Sequence, residues 1–229
     1  MNLYDIMDKL AKTRPIFHSE ADFQFALAWQ IQQTHPDADI RLEYPTQFEI
    51  QDNGEKRRGE VDIIVAIDGL TYPIELKYKT AELSTEIDHE KFQLKNQSAQ
   101  NYAKYDFYKD MRRIELLSKA WHEEIQENKR FETGYAIFLT NHQYYWKTKT
   151  ASDCKSEQFN IVDDMETPTY MQWKGTETSL SRQSAIQLMD TYYLKWKTYS
   201  EIMPSNDQNI KMKNHHFQYL LVEIPPRSV

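Results

Sequence analysis

Two apolar periods run along the chain, and the places where one gives way to the other outline its elements. After Ser19, a good N-cap with Asp22 three residues on, Phe23, Leu27 and Ile31 recur at i, i+4 and i+8, which predicts a helix to about Thr34 ended by His35-Pro36. Ile40 to Tyr44 alternates as a strand, Phe48 to Ile50 prolongs it past Pro45, and the polar stretch Gln51 to Gly59 reads as a loop. Two β-rich runs follow, Val61 to Ile67 and Leu70 to Tyr78, separated only by Asp68-Gly69. Such a link predicts a hairpin with a type I′ turn, because that turn needs positive φ at both central residues. Glu90 to Lys129 has no glycine or proline, and within it Phe107, Met111, Ile114, Leu117, Trp121 and Ile125 keep helical spacing. Gly134 then precedes Tyr135 to Leu139, an apolar run of the kind found in buried strands.

The expected order is helix, three antiparallel strands, long helix, buried strand. The long helix acts as a right-handed crossover and makes the last strand parallel to its predecessor. The fold class is α/β, with a central mixed sheet flanked by helices. Residues 1–145 form the core and residues 146–229 an α+β extension packed on it, with a helix near Leu180 to Tyr193 and a strand near Phe217 to Ile224.

Composition narrows the chemistry. The 229 residues contain 5 glycines, about a third of ordinary usage, and neither a G-x-G-x-x-G nor a P-loop pattern, so phosphate is not cradled by a glycine-rich loop. The longest aliphatic run, Ile63 to Ile67, is too short to cross a bilayer, and the N-terminus lacks the apolar stretch of a signal peptide. One cysteine, Cys154, makes neither an internal disulfide nor a thiolate zinc site. A soluble cytoplasmic protein with no membrane partner is expected. A net charge of −7 argues against a passive nucleic-acid coat. The histidines form no H-E-x-x-H, and His215-His216 is a pair without partners.

The hairpin brings acids together. With Asp68-Gly69 as its loop, residues whose numbers sum to 137 face each other, which sets Asp62 opposite Glu75 and places Lys77 on the same face. Two carboxylates at about 4–5 Å repel by roughly 3–4 kcal/mol at an effective dielectric near 20. Either one is protonated, or a cation lies between them, or the register differs. A hard divalent cation takes carboxylate oxygens and keeps waters that can attack phosphate, and a neighbouring lysine can orient such a water or stabilise charge on phosphorus. Glu20, in the first turn of the preceding helix, supplies a third carboxylate if that helix packs over the hairpin. The plainer alternatives are a cross-strand ion pair between Glu60 and Lys77, and a Glu20 that only favours a helix N-terminus.

Asp62, then Ile74-Glu75-Leu76-Lys77, preceded by a helical Glu20 and followed by a helix carrying Gln97 and Gln100, resembles the PD-(D/E)XK nuclease superfamily over roughly residues 17–140. The proline of the family's name is replaced by Val61. Arg14 to Glu20 and Phe217 to Ile224 are similar to segments of an uncharacterised bacterial branch of that superfamily. The resemblance implies a restriction-endonuclease-like fold and a divalent-metal-dependent nuclease acting on DNA in the first place, with RNA as the alternative and a homodimer compatible. Asp62 and Glu75 would hold Mg²⁺ or Mn²⁺, with the Leu76 carbonyl and Glu20 completing the site and Lys77 as the catalytic lysine. Gln97 and Gln100 would position the site or the strand, and Lys79, Lys104, Lys95, Lys109, Arg112 and Arg113 are available to phosphates. Tyr144, Tyr145, Trp146, Trp173, Tyr192, Tyr193 and Trp196 can stack on bases or simply pack. The rival reading is a non-catalytic nuclease-fold accessory protein of a defence system or mobile element.

Overall fold

A computed structural model describes residues 1–52, 55–123, 130–177, 179–203 and 213–227. Two helices, α1 (Leu3–Thr13) and α2 (Glu20–Thr34), open the chain, followed by β1 (Asp39–Asp52), β2 (Glu55–Ile67), β3 (Leu70–Lys79), β4 (Leu83–Ile87) and β5 (Glu90–Leu94). Helix α3 (Gln100–Glu123) leads through β6 (Arg130–Phe131) to β7 (Gly134–Thr140) and a short α4 (Tyr144–Lys147). The remainder holds β8 (Met165–Glu166), β9 (Tyr170–Met171), β10 (Ile186–Gln187), β11 (Tyr193–Leu194), β12 (Trp196–Glu201) and β13 (His216–Ile224). The central sheet runs β1-β2-β3-β7-β13-β12, with β6 against β3. Among the described residues, only the β3 contacts with β6 and β7 are parallel, so the molecule is α/β with a mixed sheet. No helix among the described residues is long and apolar enough to cross a membrane.

Period-two alternation explains the layers. Along β7, Tyr135, Ile137 and Leu139 point into a core shared with α1 and α2, while Ala136 and Phe138 point into a second core shared with α3 and the C-terminal third. The expected helix is α2: the Ser19 hydroxyl accepts from the Asp22 backbone N–H at 3.1 Å, and Phe23, Leu27 and Ile31 are buried. The hairpin register also matches, with Ile67 opposite Leu70, Val65 opposite Tyr72, and φ of +51° at Asp68 and +76° at Gly69. Between α3 and the parallel strand, Gly134 leaves no room for a side chain, since a Cβ there would lie 2.0 Å from Ile114.

Several expectations are corrected. Gln51 to Gly59 is not simply a loop. Outside residues 53 and 54 it continues the β1–β2 ribbon, with Asp52 facing Glu55, because backbone pairing there needs no apolar face. The glycine-free stretch from Glu90 is not helical throughout. Leu83–Ile87 and Glu90–Leu94 form a hairpin whose turn residues Asp88 and His89 carry positive φ without glycine, so the usual turn signal is missing. Helix α3 therefore starts at Gln100, and Ile125 lies outside the described residues. No helix spans Leu180 to Tyr193. A 3₁₀ turn at Leu180–Arg182 gives way to short strands. Ser184, Ile186 and Leu188 are buried on alternate positions, as are Tyr192, Leu194 and Trp196, which is a strand period. The extension expected to pack on the core supplies two strands of the central sheet; the strand expected near Phe217 to Ile224 is β13, which pairs with β7 from Ile224–Gly134 to Gln218–Thr140. Helix α1, which is not among the expected elements, buries Leu3, Ile6, Met7 and Leu10 and is capped by Asn2.

Candidate functional site

The site lies where β2 leaves β3. Their paired register ends at Ile63–Ile74, although β2 goes on pairing with β1. Beyond that point the β3 backbone N–H groups that would face β2 take carboxylates instead. Leu76 donates to Asp62 Oδ2 at 2.6 Å, and Tyr78 donates to Glu20 Oε2 at 2.6 Å. The parting of two strands thus anchors two acids through one oxygen each. Gln24, buried on α2, holds the arrangement from behind by donating to the Asp62 carbonyl and to Glu43 Oε1, both at 2.7 Å.

Alternation turns Glu75 and Lys77 toward α3. Glu75 is 1% exposed and accepts from Arg113 at 2.6 Å, while Lys77 contacts Asp110, itself buried. Arg113 also lies 3.5 Å from Asp110 and donates to the Glu60 carbonyl at 3.2 Å. The cross-strand pair between Glu60 and Lys77 is therefore not formed. Asp110 was not visible as a site residue in the sequence. It sits on the stripe of Phe107, Ile114 and Leu117, and an acid on an apolar helical face is the signal that could have found it.

Four carboxyl groups, Glu20, Asp62, Glu75 and Asp110, act on one another here with two cations, Lys77 and Arg113. Burial pushes the Asp62 carboxyl up to about 6. Its Leu76 hydrogen bond and Lys77 oppose the rise, while Asp110 and Glu20 add to it. Glu75 is raised well above the usual carboxylate range, first by burial and then by Asp110 and Asp62, against Arg113 and Lys77. Burial disfavours the charged Lys77, but Asp110 and Glu20 outweigh it and hold the ammonium protonated.

These residues fit a hard divalent cation. The donors are carboxylates, negative charge exceeds positive charge, and Asp62, Glu75 and Glu20 each have one oxygen oriented by a protein donor, as ligating carboxylates commonly have. The three acids do not close into a ready-made cage. Among the described residues, the set whose ligand atoms all lie within 4.8 Å of one another is Glu201, His215 and His216, a group that could hold a metal ion. The sequence left that histidine pair without partners, and the β12–β13 register supplies Glu201. The Leu76 carbonyl accepts from Lys77 Nζ at 3.1 Å.

The other predicted contacts scatter. Lys79 lies 3.8 Å from Glu20 at the site's edge. Gln97 precedes α3 instead of riding on it, and its backbone N–H donates to the Thr80 carbonyl at 2.9 Å. Gln100 opens α3 and contacts His142 Nε2 at 3.3 Å. Lys104 is not a phosphate contact. It is fully buried, donates to Thr150 at 3.1 Å and lies over the Tyr144 ring, and burial brings its ammonium down to about 8. Tyr145, Trp173, Tyr192 and Trp196 are core residues, whereas Tyr193 is exposed. No family model, no curated protein and no solved structure matches the chain.

Proposed function

We propose that the protein is a divalent-metal-dependent nuclease of the restriction-endonuclease-like type, acting on DNA. The observation that carries this reading is the buried acid excess around Asp62 and Glu75 with Lys77 beside it, at the point where β2 parts from β3. An Mg²⁺ or Mn²⁺ ion, when bound, supplies charge to the scissile phosphate and activates water. Asp62 and Glu75 would hold it, with Glu20 assisting from α2. Lys77, kept protonated by its acidic neighbours, serves as a fixed positive charge for the oxygen that gains charge on phosphorus, not as the base. Lys79, 3.8 Å from Glu20, would meet the nucleic-acid backbone.

The self-pairing of Lys77 with Asp110 and of Glu75 with Arg113 favours the second reading, a binding module with a locked site. One experiment separates the two. Duplex, single-stranded and branched DNA and a matched RNA are incubated with the protein in Mg²⁺ or Mn²⁺, alongside Lys77→Ala and Asp62→Asn. The nuclease reading expects cleavage that EDTA stops and that either substitution lowers by about 10²–10⁴-fold. Cleavage that persists in EDTA or in both variants refutes this mechanism. Binding without cleavage selects the module, and preferential digestion of RNA overturns the DNA assignment.

A further inference from the structure

The chain places two imidazoles and a carboxylate at one edge of the sheet, far along the sequence from the acidic cluster. Glu201 ends β12 and faces His216 at the start of β13. Neighbouring strand residues normally point to opposite faces, but His215 precedes the strand and follows Asn214, whose φ of +60° redirects the backbone. His215 Nε2 and His216 Nε2 consequently converge on the same atom, Glu201 Oε1, at 3.8 and 3.6 Å. One backbone and two side-chain amide hydrogen bonds hold this turn. Ile202 N–H donates to the His215 carbonyl at 2.9 Å, Asn141 donates to the Asn214 carbonyl at 2.8 Å, and Asn214 donates to the Glu82 carbonyl at 3.0 Å.

These separations exceed hydrogen-bond lengths. They approach the ligand-to-ligand edge of a tetrahedral site, roughly 3.3–3.4 Å for bonds of about 2.0–2.1 Å. Small side-chain rotations close the difference, since Glu201 and His216 are half exposed. Two imidazoles with one carboxylate suit late first-row ions, whereas Mg²⁺ and Ca²⁺ prefer all-oxygen sets. Both histidines also line a cleft of about 660 Å³, which gives an ion a path from solvent. We infer that Glu201, His215 and His216 form a three-ligand site for a divalent ion of the Zn²⁺ class, chemically separate from the carboxylate cluster at Asp62 and Glu75.

The test uses the full chain stripped of metal and held in excess Mg²⁺, which occupies hard-cation sites. Zn²⁺ is titrated calorimetrically, and Co²⁺ serves as the visible-absorption probe. One ion per chain is expected to bind, at least about tenfold more weakly in His216→Ala and in Glu201→Gln, with Zn²⁺-induced shifts of the His215 and His216 imidazole resonances in the unaltered chain. Metal-free circular dichroism checks that the exposed-residue variants fold. Failure of Zn²⁺ to bind the unaltered chain, unchanged affinity in both variants, or imidazole resonances that ignore Zn²⁺ would each overturn the site. None of these readouts depends on DNA cleavage.

Discussion

Helix α3 carries buried acids into two neighbourhoods that differ in charge balance. Glu115, fully buried, accepts from the Met189 N–H at 2.9 Å, the Asp190 N–H at 3.3 Å and the Tyr192 hydroxyl at 2.8 Å, with Arg227 at 3.3 Å and Arg112 at 3.4 Å. One carboxylate thus meets two guanidinium groups and three neutral donors. It ties the C-terminal third onto α3. Less than two turns earlier, Asp110 and Arg113 join Glu20, Asp62, Glu75 and Lys77, and there the acids outnumber the cations. Burial alone therefore does not mark a functional site. A buried acid with surplus donors is a structural lock, while a partly buried group in which acids outnumber cations stores unfavourable charge that a proton or a cation relieves.

The largest effect is expected on the locked side. Glu115→Ala leaves the Tyr192 hydroxyl and the Met189 N–H without this acceptor and reduces Arg227 to its contacts with Asp190 and Tyr192, and should lower unfolding stability by about 3–5 kcal/mol in urea titration. A loss below about 1 kcal/mol would show that the lock is not closed.

On the other side the sign reverses. The folded-state value of about 6 for Asp62 lies above its ordinary 3.8, so the folded protein binds this proton more tightly than the unfolded chain. That contribution is fully present below about pH 4 and is lost as pH rises to about 6, a span of about 3 kcal/mol. Glu75, raised in the same direction, adds with the same sign. In EDTA, Asp62→Asn should flatten this dependence. At pH 8 it should be more stable than the parent by up to about 3 kcal/mol, because its amide oxygen still accepts from Leu76. A less stable variant under those conditions would equate the two neighbourhoods and break the comparison.

The smallest effect tests redundancy. Arg112, part-exposed and 3.4 Å from Glu115, should cost under about 1 kcal/mol when changed to alanine, since Arg227 and the neutral donors remain. A larger loss would make Arg112 the main counter-ion of the lock.

Much of the central frame was legible. The Ser19 cap, the Asp68-Gly69 turn and the Tyr135 to Leu139 run are local signals, and each depends on residues within a few positions of one another. The helical crossover added the parallel placement of β7 beside β3. Misreadings fell where local signals were absent or ambiguous. Asp88-His89 turns without glycine, and the alternation from Ser184 to Trp196 is broken by Met189 to Thr191. At the candidate site, the register holds only as far as Ile63–Ile74, so the expected cross-strand pairing of Asp62 with Glu75 does not form, and Asp62 instead accepts from the Leu76 N–H. The counter-charges Asp110 and Arg113 come from a helix whose packing the hairpin does not specify.

By itself, then, the sequence determined which residues share a strand face and where the chain reverses, because strand alternation and turn geometry act over neighbouring residues. Only the tertiary structure decided which charges meet. The parting of β2 from β3 turned Leu76 and Tyr78 into carboxylate donors, the seating of α3 put Asp110 against Lys77, and the antiparallel return of β13 set His215 and His216 beside Glu201. Those contacts join residues distant in sequence, and they depend on how helices and strands pack, which apolar burial drives, not on any local signal.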